Sequence, residues 1–198
     1  MKIAPIILDG EYVRLEPLKV EHLENLCEVG YDESIWRWTT MRIAAKSDMR
    51  KYIETALDEQ KRGVSMPFVT IEKYLDKIVG STRFGNIDWQ NRRVEIGWTW
   101  INPKWQRTAI NTEAKFLMLN QAFEAWKCIR VELKTDVLNE KSRNAILRLG
   151  AKEEGILRQH LITDSGRFRD TVYFSIIDTE WEEVKENLLE KLSRFSKN

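Results

Sequence analysis

Between residues 102 and 112 the chain reads Asn-Pro-Lys-Trp-Gln-Arg-Thr-Ala-Ile-Asn-Thr, a polar loop between two segments of different periodicity. Residues 92–101 alternate as a β-strand does, whereas residues 112–126 carry apolar side chains at helical spacing. The first turn of a helix exposes unpaired N–H groups at the positive end of its dipole, so such a junction attracts anions. Lys104, Gln106 and Arg107 add charge and donors there. The junction therefore predicts a binding site for a diphosphate.

The elements around this junction predict a mixed α+β fold. The predicted strands are residues 11–17, 66–72, 77–87, 92–101, 130–137, 153–163 and 167–177, and the predicted helices are residues 20–30, 47–62, 112–126, 139–149 and 179–195. Short turns separate the strands of residues 66–101, which is typical of an antiparallel meander. We expect a mostly antiparallel central sheet flanked by helices, with an extra C-terminal helix. The length of 198 residues suits a single domain, residues 1–198.

Composition excludes several classes of partner. The chain has 32 Lys and Arg against 31 Asp and Glu, so it lacks the basic excess that nucleic-acid binding uses. No apolar run approaches the roughly 20 residues that cross a bilayer, so we expect no membrane partner and a cytoplasmic protein. Cys27 and Cys128 sit in apolar patterns without metal-type spacing. We expect both to be packing residues, and we expect no metal.

The loop resembles a known motif. The GCN5-related N-acetyltransferase (GNAT) superfamily carries Q/R-x-x-G-x-G/A at this strand-to-helix junction, and here residues 106–111 read Gln-Arg-Thr-Ala-Ile-Asn. The first position matches, but Ala109 and Asn111 replace the usual glycine pair. Glycine lets a backbone approach a phosphate without a Cβ, so this is a departure from the family pattern. Alanine still presents its N–H, and asparagine tolerates unusual backbone angles, so we expect cofactor binding to survive.

Further matches run in family order from about residue 8 to residue 181, which we expect to be the core of the domain. They resemble the branch that acetylates the N-termini of ribosomal proteins (RimJ/RimL type). The matching segments are residues 8–18 (LDGEYVRLEPL), 78–82 (IVGST), 94–98 (VEIGW), 130–136 (RVELKTD), 139–142 (NEKS), 149–151 (LGA), 154–158 (EGILR), 169–175 (RDTVYFS) and 180–181 (EW).

This resemblance implies an acetyl-CoA-dependent N-acetyltransferase whose acceptor is an amine, either a protein N-terminus or a small-molecule amine. It also implies which residues bind the cofactor. These are Trp100, Ile101, Gln106, Arg107, Thr108, Ala109, Ile110, Asn111, Thr112, Asn139 and Ser142.

Glu95 is the candidate general base. Its spacing to Gln106 equals that of the catalytic glutamate in histone-acetylating members of the superfamily, and a carboxylate can take the proton that an attacking amine must lose. The alternative is an ordinary solvent-exposed strand carboxylate. Strand alternation predicts two faces: Glu95, Gly97 and Thr99 on one, and Val94, Ile96, Trp98 and Trp100 on the other.

Asn139 and Ser142 carry the other roles that the resemblance implies. Family members use the asparagine to hydrogen-bond the pantetheine arm, and many use a tyrosine four positions past the serine as general acid. Ile146 holds that tyrosine position here. In the RimJ/RimL-like branch the serine is the proposed acid, which points to Ser142. The alternative is a helix N-cap at Asn139 followed by an ordinary polar residue.

Trp36, Trp38 and Tyr173 are the expected acceptor-binding residues. In the superfamily the loop that contains Trp36 and Trp38 forms one wall of the acceptor site. Tyr173 is also an alternative acid, although an aromatic strand residue is more often core packing. His160 lies on the hairpin strand that often borders the substrate mouth, but we expect a satisfied or surface histidine.

Three functional alternatives stay open. The first is direct attack of the amine on the thioester in a ternary complex, with backbone N–H groups polarising the carbonyl. The second is a CoA-binding regulatory module that has lost turnover, which the changes at Ala109, Asn111 and Ile146 keep alive. The third is another acyl donor such as succinyl-CoA. Relatives are often dimers, which leaves a homodimer open.

Overall fold

The structure is a computed structural model that describes residues 4–195. Its centre is an eight-stranded sheet in the order β1-β2-β3-β4-β5-β6-β8-β7. Only β5 and β6 are parallel neighbours, and every other adjacent pair is antiparallel. The strands are β1 Leu8–Asp9, β2 Val13–Pro17, β3 Met66–Glu72, β4 Lys77–Asp88, β5 Arg93–Ile101, β6 Arg130–Asp136, β7 Lys152–Ile162 and β8 Phe168–Ile177. The predicted α+β class, with a mostly antiparallel sheet, is confirmed.

Helices cover both faces of the sheet. They are α1 Leu23–Gly30, α2 Glu33–Trp36, α3 Lys46–Lys61, α4 Ala109–Asn120, α5 Glu140–Arg148 and α6 Trp181–Ser193. Apolar residues of α4, α5 and α6 form the main core with one face. A second core lies on the other face, where α1 and α3 pack against β3 and Trp100. The predicted C-terminal helix is thus part of the main core.

The second face is polar where it continues onto β6 and β8. Alternate residues of these strands, such as Leu133 and Phe174, point into the main core. Their neighbours Lys134 and Tyr173 therefore face the other way, because successive strand residues point to opposite sides of a sheet. Lys134 and Tyr173 are opposite each other in the β6–β8 register and are half-buried. This surface beside the second core is called the polar face below.

The parallel strands β5 and β6 separate along their length. They pair over only three positions, from Arg93 with Arg130 to Glu95 with Glu132. Beyond Glu95, β5 continues to Ile101 and β6 to Asp136 without pairing to each other. Backbone groups on the facing edges therefore make no ladder hydrogen bonds across the opening and can bind another chain or a ligand, apart from the carbonyl of Ile101, which accepts from Gln106 Nε2. We call the opening between residues 96–101 and residues 133–136 the strand gap.

A β-bulge at Trp98 makes the predicted faces of β5 wrong. Gly97 pairs with Arg83 but Trp100 pairs with Ser81, so β5 spends one more residue than β4 between the two pairs. Trp98 has a φ of 49°, in the left-handed region that few non-glycine residues adopt. Because the extra residue reverses the alternation, Trp98 and Trp100 lie on the same face as Glu95. Thr99 lies on the opposite face.

Helix α4 begins earlier than the apolar pattern suggests. It starts at Ala109 instead of near Thr112, with Thr108 as N-cap, and it ends at Asn120. A π-helical turn, Gln121–Ala125, replaces the predicted last helical turn. The apolar period does not reveal this start because residues 109–112 are two apolar residues followed by two polar ones, too short a run to show helical spacing, although Ala109, Ile110 and Thr112 are all buried.

Candidate functional site

The loop between β5 and α4 is held in place by its own hydrogen bonds. Gln106 Nε2 donates to the carbonyl of Ile101 over 2.9 Å, which folds the loop back on the strand end. Arg107 has a φ of 63°, and its exposed side chain stands at the turn into the helix. Thr108 Oγ1 donates to the carbonyl of Trp105 and accepts from the N–H of Ile110. These bonds fix the path of the backbone into α4.

The first turn of α4 has donors to spare. Within residues 4–195, the N–H groups of Ala109 and Asn111 have no side-chain or loop acceptor. Asn111 Oδ1, which is an acceptor, is buried without a hydrogen-bond partner among the same residues. Arg148, at the end of α5, donates to Thr112 Oγ1 over 3.5 Å and brings a second guanidinium to this turn. Arg148 was not anticipated from sequence because only the fold brings the C-terminal end of α5 to α4.

Trp100 and Ile101 can offer a ligand their backbone more readily than their side chains. The Trp100 indole is buried in the second core and donates to Tyr52 Oη over 3.3 Å. The Ile101 side chain belongs to the main core. Their strand edge, however, borders the strand gap. Residues at such an edge can pair through N–H and C=O with the amides of an extended ligand.

Asn139 and Ser142 stand at the other wall of the strand gap, where β6 leads into α5. Asn139 is the N-cap of α5, and its Oδ1 accepts from the N–H of Ser142 over 3.1 Å. The Ser142 side chain is half-buried. The N-cap interpretation of Asn139 thus describes the local structure. The side-chain amide of Asn139 and the hydroxyl of Ser142 therefore lie at the N-terminus of α5, beside the strand gap.

Glu95 is buried, so the alternative of an exposed strand carboxylate is wrong. Its side chain is 2% exposed. Its carboxylate accepts from Asn86 Nδ2 over 2.7 Å and lies 2.9 Å from Lys134 Nζ. A buried carboxylate needs such partners because desolvation of an isolated charge is costly. The ion pair couples β5 to β6 just beyond the point where the two strands stop pairing.

Aromatic rings surround this ion pair on the polar face. Lys134 Nζ lies 5.8 Å from the ring of Trp98 and 5.6 Å from the ring of Tyr173. Trp98 remains 38% exposed, although Arg83 also lies over its ring. Gly85 makes room for this ring, because a Cβ there would lie 2.2 Å from a Trp98 ring carbon. Tyr173 is half-buried at the ion pair, so the core-packing alternative is wrong for its side chain.

His160 is closer to this centre than we expected from sequence. Its ring packs edge-on against Tyr173, with centroids 5.7 Å apart, and its Nδ1 is buried without a hydrogen-bond partner. Burial, together with the charges of Lys134 and Arg169, lowers the pKa of His160 below its ordinary value. The imidazole is therefore neutral at neutral pH and can accept a proton. A β-bulge in β7 turns it inward, and Gln159 beside it has a φ of 48°.

Asp136 closes the polar face at the end of β6. It is fully buried, and two arginines of the β7–β8 hairpin, Arg167 and Arg169, converge on its Oδ2. Trp38 is half-buried, and Arg167 lies 5.8 Å from its ring centre. Trp38 therefore borders the polar face from the α2 side.

Trp36 does not share that position. It ends the short helix α2 instead of lying in a loop, and it is 5% exposed. Its Nε1 donates to the carbonyl of Gly30 over 2.7 Å, and its ring packs against Trp100 at 5.3 Å. Trp36 therefore packs behind the polar face and is not exposed on it.

The two cysteines lie outside this site. Cys27 belongs to the second core and Cys128 to the main core, as expected for packing residues. Burial raises the pKa of Cys128 to about 11, which removes the thiolate that a nucleophile requires. Residues 4–195 contain no group of three or more His, Cys, Asp or Glu side chains that could hold a metal ion. Across the same residues, none of the helices combines the length and apolar character of a membrane span.

Comparison with known proteins identifies the family of this chain. Residues 13–152 match the family model described as an acetyltransferase (GNAT) domain. The chain is 30% identical over 177 residues to YdaF of Bacillus subtilis, named as a candidate ribosomal N-acetyltransferase, with 86% of this chain and 92% of YdaF covered.

Solved structures show the same fold. A GCN5-related N-acetyltransferase from Brucella melitensis is 31% identical with a TM-score of 0.89, covering 97% of this chain and 87% of that one. The ribosomal-protein-S5-alanine acetyltransferase of Vibrio fischeri shares the fold at 19% identity, with a TM-score of 0.73 and coverage of 89% and 98%. Proteins of this family use acetyl-CoA in general. This chain has the strand-to-helix junction, the strand gap and the polar face next to one another. The chain belongs to the GNAT family of N-acetyltransferases.

Proposed function

We propose that this protein transfers an acetyl group from acetyl-CoA to a primary amine by direct attack in a ternary complex. One observation carries the proposal: the unpaired strand gap opens at one end on the first turn of α4 and runs past the buried Glu95–Lys134 pair. An extended thioester laid along the gap would have its anionic end at a helix N-terminus. Its acyl end would be at the polar face.

The residues at the junction would hold the CoA portion. Spare N–H groups at Ala109 and Asn111, with the side chains of Arg107 and Arg148, suit a diphosphate. The backbone of Trp100 and Ile101 on one side, with Asn139 on the other, suits the amides of a pantetheine arm. Backbone N–H groups can bind an anion whichever residues carry them. Alanine and asparagine at positions 109 and 111 are therefore compatible with this assignment.

Groups on the polar face and at the start of α5 would carry out proton transfer. The amine nitrogen attacks the thioester carbonyl carbon, and its proton passes to Glu95 directly or through a water molecule. The carbon–sulfur bond then breaks, and the thiolate takes a proton from the hydroxyl of Ser142. Ser142 regains a proton from solvent, to which Glu95 releases the one that it took. Lys134 holds Glu95 in place through their 2.9 Å ion pair. A cysteine nucleophile is not needed.

His160 is a second candidate base because its neutral imidazole has a free Nδ1. The two candidates make different predictions. If Glu95 accepts the proton, Glu95→Gln lowers kcat by about 10²-fold or more and His160→Gln lowers it much less. If His160 accepts it, His160→Gln carries the large loss and also removes an acid limb of the kcat/KM profile, which lies below the ordinary histidine range because the pKa of His160 is lowered.

The experiment is thiol release from acetyl-CoA with a panel of amines. Wild type should release CoA in the presence of an amine, and Glu95→Gln and Ser142→Ala should lower kcat by about 10²-fold or more. Ser193→Ala, at the exposed end of α6, is the matched control and should behave as wild type. Thermal stabilisation by acetyl-CoA without thiol release from any amine would instead support a binding module.

The acceptor and acyl group follow from the same proposal. Relatives named for acetylation of ribosomal proteins favour a protein N-terminus as acceptor, with Trp38, Tyr173 and Trp98 as its aromatic surroundings. Trp36 supports that wall from behind. Acetyl-CoA is the donor we propose, and the same assay with succinyl-CoA tests the alternative donor. Sedimentation of the purified protein tests a homodimer.

A further inference from the structure

The end of the polar face carries more positive than negative charge. Asp136 is fully buried and is the shared carboxylate partner of two guanidinium groups. Arg167 Nη2 forms an ion pair with Asp136 Oδ2, and Arg169 Nε lies 4.0 Å from that same oxygen. At 4.0 Å Arg169 is too far away for a hydrogen bond. One carboxylate therefore serves two cations.

The other cations of this face each have a carboxylate of their own. Arg83 pairs with Glu59 at 2.9 Å, and Lys134 pairs with Glu95 at 2.9 Å. His160, which also faces Arg169, is neutral at neutral pH because its pKa is lowered. Arg83, Lys134, Arg167 and Arg169 thus share three carboxylate partners, and the unmatched charge of these four cations falls on Arg169.

Arg169 is a buried guanidinium whose donors are available to a ligand. It is 8% exposed, and its Nε is buried without a hydrogen-bond partner. Within residues 4–195 its side chain donates no hydrogen bond to a protein atom. Burial and the neighbouring Arg167 lower the pKa of Arg169, which reports the cost of keeping this charge there. An incoming anion would relieve that cost.

The position of the two arginines indicates where such an anion would sit. Asp136 lies two residues beyond Lys134 on the same face of β6, which is about 7 Å at about 3.3 Å per strand residue. In a free α-amino acid the carboxylate carbon is only two bonds from the amine nitrogen, so this carboxylate would not span the distance. A peptide advances about 3.3–3.6 Å per residue, so an acidic side chain at its second or third position would span it.

We propose that Arg167 and Arg169 form a subsite for a carboxylate of the acceptor. The preferred acceptors are then peptide N-termini with Asp or Glu at the second or third position. This inference rests on the proposed function. Guanidinium groups bind carboxylates through two parallel hydrogen bonds, and Trp38 restrains Arg167 from its ring face. The subsite sets acceptor selectivity and takes no part in proton transfer.

The test compares two peptides with the same N-terminal serine. One has Asp and Glu at positions two and three, and the other has their neutral isosteres Asn and Gln. Thiol release measures kcat/KM for each with acetyl-CoA in excess. We expect the acidic peptide to be favoured at least about tenfold, and the ratio to shrink at high salt because screening weakens the contact.

Variants assign the selectivity to the two arginines. Arg167→Gln, at a partly exposed side chain, should bring the ratio close to one. Arg169→Lys keeps the buried charge but loses the two-pronged geometry, and should reduce the ratio without unfolding the protein. Arg194→Gln removes an exposed charge at the end of α6 and should keep the wild-type ratio.

The outcomes separate this inference from the proposed function. Equal kcat/KM for both peptides in wild type, or a preference that persists in Arg167→Gln and Arg169→Lys, overturns the subsite while acetyl transfer stands. Absence of thiol release with every peptide and amine overturns both.

Discussion

Lys115 is a buried amine that has no carboxylate partner among residues 4–195. It projects from α4 toward the sheet, where its Nζ donates to Thr99 Oγ1 over 2.6 Å and to Thr82 Oγ1 over 3.2 Å. Burial lowers the pKa of Lys115 to about 7. The unfolded chain therefore binds more protons than the folded protein between about pH 7 and 10.5. Stability rises with pH across that window, and the lysine costs stability at and below its lower end.

Lys115→Met should stabilise the protein and remove this pH dependence. One pKa unit corresponds to about 1.4 kcal/mol, but the variant also loses two hydrogen bonds, so we expect a gain of about 2 kcal/mol at pH 7. Thr82 and Thr99 keep the 2.8 Å hydrogen bond between their hydroxyls. Urea unfolding at pH 6.5 and pH 10 measures the difference, which should fall to zero or change sign at the higher pH, where the two lost hydrogen bonds outweigh the remaining cost of the charge.

The control for this prediction is Lys127→Met, at a side chain that is 70% exposed. It should change the free energy of unfolding by less than about 0.5 kcal/mol at either pH. A Lys115→Met variant that is less stable than wild type at pH 6.5 would show that the lysine is charged and satisfied in the folded protein.

At the scale of elements, the first turn of α4 explains why the replaced glycines need not abolish binding. Ala109 is 5% exposed, so its methyl group is packed inside the protein and not directed at the phosphate side. We expect Ala109→Gly to destabilise the protein by roughly 0.5–1 kcal/mol, because glycine is the poorer helix residue. Acetyl-CoA affinity, measured by calorimetry, should stay within about twofold. A tenfold tighter complex would show that the methyl group obstructs the cofactor.

A carboxylate ties the N-terminal hairpin to the same helix. Glu113 of α4 accepts from the backbone N–H groups of Glu11, Tyr12 and Val13 at 2.8, 2.7 and 2.8 Å. Gly10 leaves room for it, because a Cβ there would lie 2.4 Å from the carboxyl carbon. The turn between β1 and β2 thus holds one end of α4 against the sheet.

Glu113→Gln should loosen this contact substantially. The amide places an N–H₂ group against backbone donors and leaves buried N–H groups unpaired, at a cost of about 1–3 kcal/mol each. We expect a loss of about 2–4 kcal/mol, or roughly 4–16 °C in Tm by differential scanning calorimetry. Glu182→Gln, on the exposed side of α6, should be silent. Equal melting temperatures for the two variants would mean that water replaces the missing acceptor.

Across the whole molecule, the sequence predicts structure well where the determining pattern lies within one segment of the chain. Alternation and turn residues predicted the meander of residues 66–101 to within one or two residues, and ordered matches predicted the strand-to-helix junction. The faces of β5 were wrong because the bulge at Trp98 adds one residue that alternation cannot detect.

Long-range contacts account for what sequence could not show at the site. Trp36 is buried only because α2 folds onto Trp100, and His160 turns inward only because β7 bulges. The shared use of Asp136 by Arg167 and Arg169 depends on β8 lying between β6 and β7. These features depend on contacts between residues far apart in the chain or on local irregularities in strand pairing. Neither long-range contacts nor such irregularities produce a periodic pattern in the sequence.

The measurement that tests the central claim most directly is mass spectrometry of an acceptor peptide after incubation with the protein and acetyl-CoA. The account predicts one acetyl group on the peptide's α-amine for each CoA released, and little product with Glu95→Gln. Acetyl-CoA that binds but is never consumed, or CoA release by hydrolysis with the peptide left unmodified, would contradict it.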